Sequence, residues 1–313
     1  GAALCAFALF HHVLPRTGNA IQHIVDVDDE PEATMRPAET EITGPGEPDE
    51  QQAAPVIEPV YEPGDFSAAF PDYDTGTNAL KSYQSGNVRI AITEHQEYGV
   101  TYFVADVYVR HIRHLITAFA NGTYGKGQRQ DPLEIAQESG AIFAVNGDYY
   151  GARDSGVVIR NGDLFRESVS ADICVLYADG TMETCDEKAF NLEEAVARGA
   201  YQAWNFGPKL LQNGRAMTKF NSSVKKKNPR CAIGYYAPGH YCFVVVDGRQ
   251  EGYSTGMTME ELSRLFERLG CAEAYNLDGG ETAVMIFDGN VVNRPAGGGR
   301  SCSDIVGIVE VGS

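Results

Sequence analysis

Strand-like patterning is strongest between residues 88 and 109. Val88 to Thr93 and Val100 to Val109 are dense in β-branched and aromatic residues, and the run Tyr102-Phe103-Val104-Ala105-Asp106-Val107-Tyr108-Val109 predicts a strand. A helical signature follows. Asp131 stands as an N-cap before Pro132, Gly140 closes the helix, and the short apolar run Ala141 to Val145 then delivers Asn146-Gly147-Asp148-Tyr149-Tyr150-Gly151. The same arrangement recurs later in the chain. Thr258 and Glu261 form a capping box, Leu262, Leu265, Phe266 and Leu269 form an apolar stripe, and Gly270 stops the helix. The run Ala272 to Leu277 then delivers Asp278-Gly279-Gly280. Twice, therefore, a capped helix and a short strand set a carboxylate on a glycine loop, an arrangement that could bring Asp148 and Asp278 to one end of a common sheet.

Between and after these units lie a hairpin over 173 to 185, a short helix capped by Asn191, and strands near 231 to 236 and 241 to 247. Thr282 to Phe287, a turn at Asp288-Gly289-Asn290, Val291-Val292 and a strand near Ile305 to Val311 complete the pattern. Most connections are hairpins. The expected fold is α+β: mixed, largely antiparallel sheets with a few short flanking helices, forming a single catalytic domain over 77–313. No nucleotide-binding glycine fingerprint or P-loop occurs.

Composition changes the picture only at the N-terminal side. The formal charge is -18, yet residues 26 to 74 alone hold 15 Asp or Glu against the single base Arg36, together with eight of the 14 prolines. Residues 26–76 therefore read as a solvated acidic, proline-rich linker, either a spacer or a tail for a basic partner. Ahead of it, residues 1–25 begin with the apolar run Gly1 to Phe10, read as the remnant of a signal peptide or membrane-anchor segment. An anchor and a stalk imply an extracytoplasmic, cell-surface protein, membrane-anchored or secreted, touching the membrane through its N-terminal segment. Seven cysteines leave at least one unpaired. A two-residue turn at Asp179-Gly180 would set Cys174 opposite Cys185, as a disulfide or as two thiols on one face.

Several residues carry candidate chemistry. Gly252-Tyr253-Ser254-Thr255-Gly256 matches the serine-hydrolase elbow in letters, but no His follows Ser254, the last being His240, so an ordinary loop serine is expected. His111 and His114 have no accompanying metal motif and read as exposed strand-end histidines. Asp278-Gly279-Gly280 lets the main chain approach a ligand closely, or simply turns the chain. Arg230 and Arg300 stand at strand ends, where a guanidinium suits phosphate or a surface ion pair.

Taken in order, these segments resemble a known family. Asn146-Gly147-Asp148-Tyr149, Gly156-Val157-Val158-Ile159-Arg160-Asn161-Gly162, Pro229-Arg230-Cys231-Ala232-Ile233-Gly234, Val246-Asp247-Gly248-Arg249, Ser254-Thr255-Gly256 and Asn276-Leu277-Asp278-Gly279-Gly280 are similar to the phosphodiester glycosidase domain. So are Gly289, Val292-Asn293 and Arg300-Ser301-Cys302-Ser303-Asp304, and the resemblance covers nearly all of 80 to 312. It departs at Glu281, where the family usually has a third glycine, at Thr282 in place of serine, and at Asp148, where many members have glycine.

The resemblance implies a hydrolase that cleaves a glycosyl-1-phosphodiester at the anomeric carbon, acting on cell-surface or extracellular glycans. A phosphomonoester leaves readily, so cationic stabilisation matters more than a strong acid, while the oxocarbenium-like transition state needs a carboxylate. Asp278 is the first candidate, Asp148 the second, and Arg230 and Arg300 are the clamps. Substrate binding is expected from Asn146, Gly147, Arg160, Asn276, Gly279, Gly280, Thr282, Asn293, Arg300 and Asp304. The chemistry requires no cofactor; Ca²⁺ or Mg²⁺ on oxygen ligands at Asp148 or Asp278 stays open. The partner is a glycan or sugar-phosphate substrate, with no nucleic acid, and the oligomeric state is unknown. A non-catalytic cell-wall glycan or teichoic-acid-binding module, or a metal-dependent phosphodiesterase, is the alternative.

Overall fold

The computed structural model describes residues 20–27, 64–72 and 78–311. Three large antiparallel sheets and a two-stranded ribbon, Leu211–Gln212 with Arg215–Ala216, build the domain. The first runs in the order Glu273–Asn276, Arg230–Ala237, His240–Val246, Val100–Val109, Val88–Glu97, Lys81–Gln84. The second runs Asn290–Val291, Met285–Phe287, Ala141–Asn146, Asp304–Val309, Leu115–Phe119. The third runs Gln22–His23, Asp163–Arg166, Val158–Arg160, Ala200–Trp204, Ile173–Tyr177, Met182–Cys185. Every pairing within them is antiparallel.

Side-chain alternation explains how three sheets share one core. Along Val100–Val109, Phe103, Ala105, Val107 and Val109 face a common cluster that also takes Phe143 and Val306 from the second sheet and Leu176 and Trp204 from the third. Val100, Tyr102 and Val104 point the other way, onto the helix Met259–Leu269 (α3) through Leu262, Leu265 and Phe266. Each remaining sheet likewise carries one helix on its outer face: Pro132–Ser139 (α1) packs Ile135 and Ala136 near Ala144 and Ile305, and Leu192–Ala197 (α2) packs Ala195 near Val175. The three helices have 8, 6 and 11 residues, so the largely antiparallel α+β architecture is as the hydrophobic pattern predicts.

The caps also match. Asp131 accepts from Leu133 N, Asn191 accepts from Glu193 N and Glu194 N, and the capping box is reciprocal, with Glu261 N donating to Thr258 Oγ1 at 3.1 Å and Thr258 N to Glu261 Oε2 at 2.7 Å. Strand Met285–Phe287 is shorter than the predicted Thr282–Phe287, because Gly280–Thr282 winds into one 3₁₀ turn.

Three expectations are corrected. Asp148 and Asp278 do not share a sheet: Ala141–Asn146 is the central strand of the second and Glu273–Asn276 an edge strand of the first, and the loops that follow them are hydrogen-bonded to each other. Cys174 is paired with Thr184, and Cys185 with Ile173. Tyr177 N bonds Thr181 O at 2.9 Å, so residues 178 to 180 form a three-residue turn; the one-residue slip sends the two sulfurs to opposite faces, and both are free thiols. His114 is buried rather than exposed, its ring Nδ1 3.0 Å from Val309 O, and burial lowers its pKa.

Before residue 77, two short described stretches pack against the domain. Gln22–His23 pairs with Leu164 and Asp163, and Phe66 sits in the shared core. Gly180 and Gly239 (φ 79 and 80) leave room for that side chain, whose ring Cζ and Cβ lie 2.4 and 2.6 Å from where their Cβ atoms would stand. Parts of both N-terminal segments are therefore folded onto the domain. Residues 1 to 19, which include the apolar run, lie outside the described residues. Among those described, no helix is long and apolar enough to cross a membrane.

Candidate active site

Two strand ends create the site. Asn146, the last residue of Ala141–Asn146, donates from Nδ2 to Asp278 O at 2.8 Å and to Gly147 O at 3.1 Å, and its Oδ1 accepts from Val284 N at 3.1 Å. Asp278 N donates to Gly147 O at 3.2 Å. The Asn146-Gly147 and Asp278-Gly279 loops are thus stitched together across two sheets. Glycine is required in both. A Cβ on Gly147 would stand 2.2 Å from Asp304 Oδ1, and one on Gly279 2.7 Å from Pro229 O.

The Asp278 carboxylate is 8% exposed and asymmetrically bonded. Gly279 N donates to Oδ1 at 2.9 Å, and Arg300 Nη2 donates to Oδ2 at 3.2 Å. Arg300 also donates from Nε to Thr282 Oγ1 at 3.0 Å, and its guanidinium lies 5.7 Å from the Tyr149 ring. Burial raises the Asp278 pKa above its ordinary 3.8, against the lowering effect of Thr282, Arg300 and the Gly279 amide. Desolvation wins because only one partner carries a full charge.

Asp278 opens onto a cavity of about 800 Å³. Its wall carries five basic side chains, Arg153, Lys225, Arg230, Arg249 and Arg300, against two carboxylates, Asp278 and Glu281. That surplus of positive charge occurs in a chain whose formal charge is -18. The cavity is built for an anion. Arg230 is the most telling of the five. Only 3% exposed, it donates to Met257 O at 3.0 Å and Lys226 O at 2.6 Å, and no carboxylate reaches it among the described residues. Burial, then the nearby Arg249, pulls its pKa down to about 10. A buried guanidinium held by carbonyls alone lacks a counter-ion, and an anion in the cavity supplies one.

Arg249 was not among the residues expected from the sequence to bind substrate. Its φ of 58 and a bidentate grip on Asn228 Oδ1 (3.1 and 2.9 Å) turn its guanidinium over Gly280, 3.2 Å from where a Cβ would stand. The signal was present in the Asp247-Gly248-Arg249 segment. Arg153, stacked 4.8 Å over Phe206, and Lys225 had no such signal, since each reaches the cavity from a loop distant in sequence.

Of the predicted binding residues, Asn276, Gly279, Gly280 and Arg300 line the cavity with Asp278 and Arg230. Asn276 donates from Nδ2 to Gly207 O and Leu277 O, while its buried Oδ1 has no partner, an acceptor left for a ligand hydroxyl or N–H. Thr282 stands behind, on Arg300. Asn293 is further back, bridging Asp247 Oδ1 and Met285 N at 2.8 Å each, which pins the loops that follow the site.

Asp148, Arg160 and Asp304 form a separate buried cluster. Arg160 donates from Nη2 to Asp148 Oδ1 at 3.0 Å and from Nε to Asp304 Oδ2 at 2.8 Å. Asp148 also accepts from Tyr150 N and Asn205 N at 3.1 Å each. None of the three lines the cavity. Burial, with a second carboxylate for company, raises the Asp304 pKa to about 7 despite Arg160. Ser254 is likewise buried and committed, donating to Asp247 O at 2.6 Å and accepting from Thr101 N at 3.0 Å. Among the described residues, no group of three or more His, Cys, Asp or Glu side chains is placed to hold a metal ion.

Comparisons with known proteins bear on the fold and the family. The chain is 28% identical over 187 residues to the SPbeta prophage-derived uncharacterized protein YomE of Bacillus subtilis (strain 168), a stretch that is 56% of this chain and 29% of that relative's length. The fold is similar to the catalytic domain of zebrafish N-acetylglucosamine-1-phosphodiester alpha-N-acetylglucosaminidase, auto-inhibited by its pro-peptide, with TM-score 0.57 and 18% identity over 74% of this chain and 87% of that one. A hypothetical protein from Synechocystis is similar at TM-score 0.56 and 14% identity, over 74% of this chain and 64% of that one. Residues 139–309, which contain both stitched loops, Arg230 and Arg300, match the phosphodiester glycosidase family profile, and the chain belongs to that family.

Proposed function

We propose that this chain hydrolyses a glycosyl-1-phosphodiester at the anomeric carbon, releasing a sugar and a phosphomonoester. The observation that carries the reading is the juxtaposition, in one cavity, of the buried Asp278 carboxylate with Arg230, a buried cation held only by carbonyls. A diester phosphate is an anion that supplies what Arg230 lacks, and Arg249 lies beside it to share the charge that grows as the phosphate departs. The zebrafish enzyme is named for action on a sugar-1-phosphodiester, which supports the same substrate class here.

In this arrangement Asp278 faces the anomeric carbon as nucleophile, stabiliser or base for water. Arg300 and Gly279 N favour its ionised form. The free Oδ1 of Asn276 accepts from a sugar hydroxyl or N–H. Asp148, occupied by Arg160 and two main-chain amides, is a positioning residue for the loop it begins. Glu281 is the other carboxylate on the cavity wall, where it can order a water. The substrate is a cell-surface or extracellular glycan in this reading, with the enzyme extracytoplasmic.

A panel of defined glycosyl-1-phosphodiesters tests the proposal. Wild-type protein is expected to release free sugar from at least one member, and Asp278→Asn from none. Binding of the panel by wild type without any turnover would replace this reading with that of a glycan-binding module.

A further inference from the structure

Two cysteines far from the catalytic cavity are arranged as a pair. Cys242, in the middle of His240–Val246, and Cys271, just after the Gly270 cap of α3, bring their sulfurs to 3.5 Å. Both side chains are buried, between the first sheet and the helix packed on it. The residue across the strand from Cys242 is Gly234, and a Cβ there would stand 2.8 Å from each sulfur. The space beside the pair is therefore reserved by the absence of a side chain. All six described cysteines are free thiols, Cys242 and Cys271 among them, and Cys174 and Cys185 face opposite sides of their sheet.

We infer that Cys242 and Cys271 are a redox pair that closes to a disulfide in an oxidising environment. Closure shortens the sulfur separation from 3.5 Å to about 2 Å. The step balances as a thiol–disulfide exchange. One cysteine loses its proton and attacks an incoming disulfide, that of oxidised glutathione or of a thiol–disulfide oxidoreductase. The mixed disulfide forms as one thiolate leaves, and the second cysteine then displaces the other. Two protons and two electrons pass to the reagent. Because burial pushes the Cys242 thiol well above its ordinary value, the native pair reacts slowly, and the bond forms during folding or when the end of α3 opens. The link would join the strand at 242 to the segment that leads, through Glu273–Asn276, into Asp278.

The test uses the whole chain refolded with a mixture of reduced and oxidised glutathione, compared with a sample kept in reductant. Trypsin cuts after Arg230, Arg249, Arg268 and Arg300, so the bond appears as peptide 231–249 joined to 269–300, the second of which contains Cys271 alone. The expected result is that joined peptide, fragmenting at Cys242 rather than Cys231, with a Tm roughly 5 °C or more above the reduced sample. Cys271→Ser should lose both the joined peptide and the Tm difference between oxidised and reduced samples while remaining folded by circular dichroism. Recovery of both peptides unlinked from the oxidised, folded wild type, or a link through Cys231, would overturn the inference.

Discussion

Arg300 holds Asp278 and Thr282 with a single guanidinium, its Nη2 lying 3.2 Å from Asp278 Oδ2 and its Nε 3.0 Å from Thr282 Oγ1. This geometry fixes the carboxylate in position and opposes the effect of burial on its proton affinity. Removing the cation therefore raises the Asp278 pKa further. For an acid that works ionised, activity is lost as pH falls through that pKa, so Arg300→Ala should move the acidic limb of kcat/KM to higher pH. A pH profile of wild type against variant checks this. An unmoved limb with uniformly lower activity would show that Arg300 contacts substrate only.

Asp278→Asn separates function from stability. A reacting carboxylate is worth on the order of 10³-fold or more in kcat, so turnover should fall by at least that factor. Because burial raises its pKa, the ionised carboxylate opposes folding above 3.8, and the neutral amide should leave Tm unchanged or slightly higher at pH 7. Steady-state kinetics and thermal denaturation of the same preparation read both.

Arg230→Met makes a similar trade. Replacing a buried cation that has no acidic partner among the described residues should leave stability unchanged or raise it by about 1 kcal/mol. The cavity would lose its most buried basic side chain, and affinity for inorganic phosphate should drop roughly 10–100-fold. Titration calorimetry with phosphate and denaturant unfolding measure the two effects. Phosphate affinity equal to that of wild type would remove Arg230 from the site.

The sequence made the ends of this site legible and left its walls hidden. Caps at Asp131 and Thr258, with glycines at 140 and 270, fixed two helices and therefore the strands that deliver Asn146 and Asp278. These signals are local, so one chain segment contains them whole. That Asn146 bonds the Asp278 carbonyl across two different sheets is a long-range fact with no local trace. Asp148 looked like a second catalytic acid because it follows a strand onto a glycine loop, yet Arg160 and Asn205, 12 and 57 residues away, occupy its oxygens. Ala200–Trp204, a central strand of the third sheet, was missed. Its polar Gln202 interrupts the apolar run, and that side chain is buried on Asn161. The hairpin register at Cys174 turned on a single residue of loop length, which Asp179-Gly180 does not determine alone.

The buried Asp148–Arg160–Asp304 cluster predicts a pH dependence of stability. Asp304 keeps its proton up to about 7 when folded and releases it near 3.8 when unfolded, so between these values the folded state binds more protons. Its contribution is fully present below 3.8 and is lost as pH rises through 7, with a slope of up to about 1.4 kcal/mol per pH unit. Asp304→Asn should flatten that part of the curve, as read from urea unfolding between pH 4 and 8. Arg160→Met, which strands two carboxylates, should cost on the order of 3–5 kcal/mol.

The most direct test of the central claim is hydrolysis of a sugar-1-phosphodiester in heavy-oxygen water, followed by mass analysis of both products. Attack at the anomeric carbon, with Arg230 and Arg249 holding the departing phosphate, places the heavy oxygen in the released sugar and leaves the phosphomonoester unlabelled. Label in the phosphomonoester would mean that the P–O bond breaks instead, and would contradict the account.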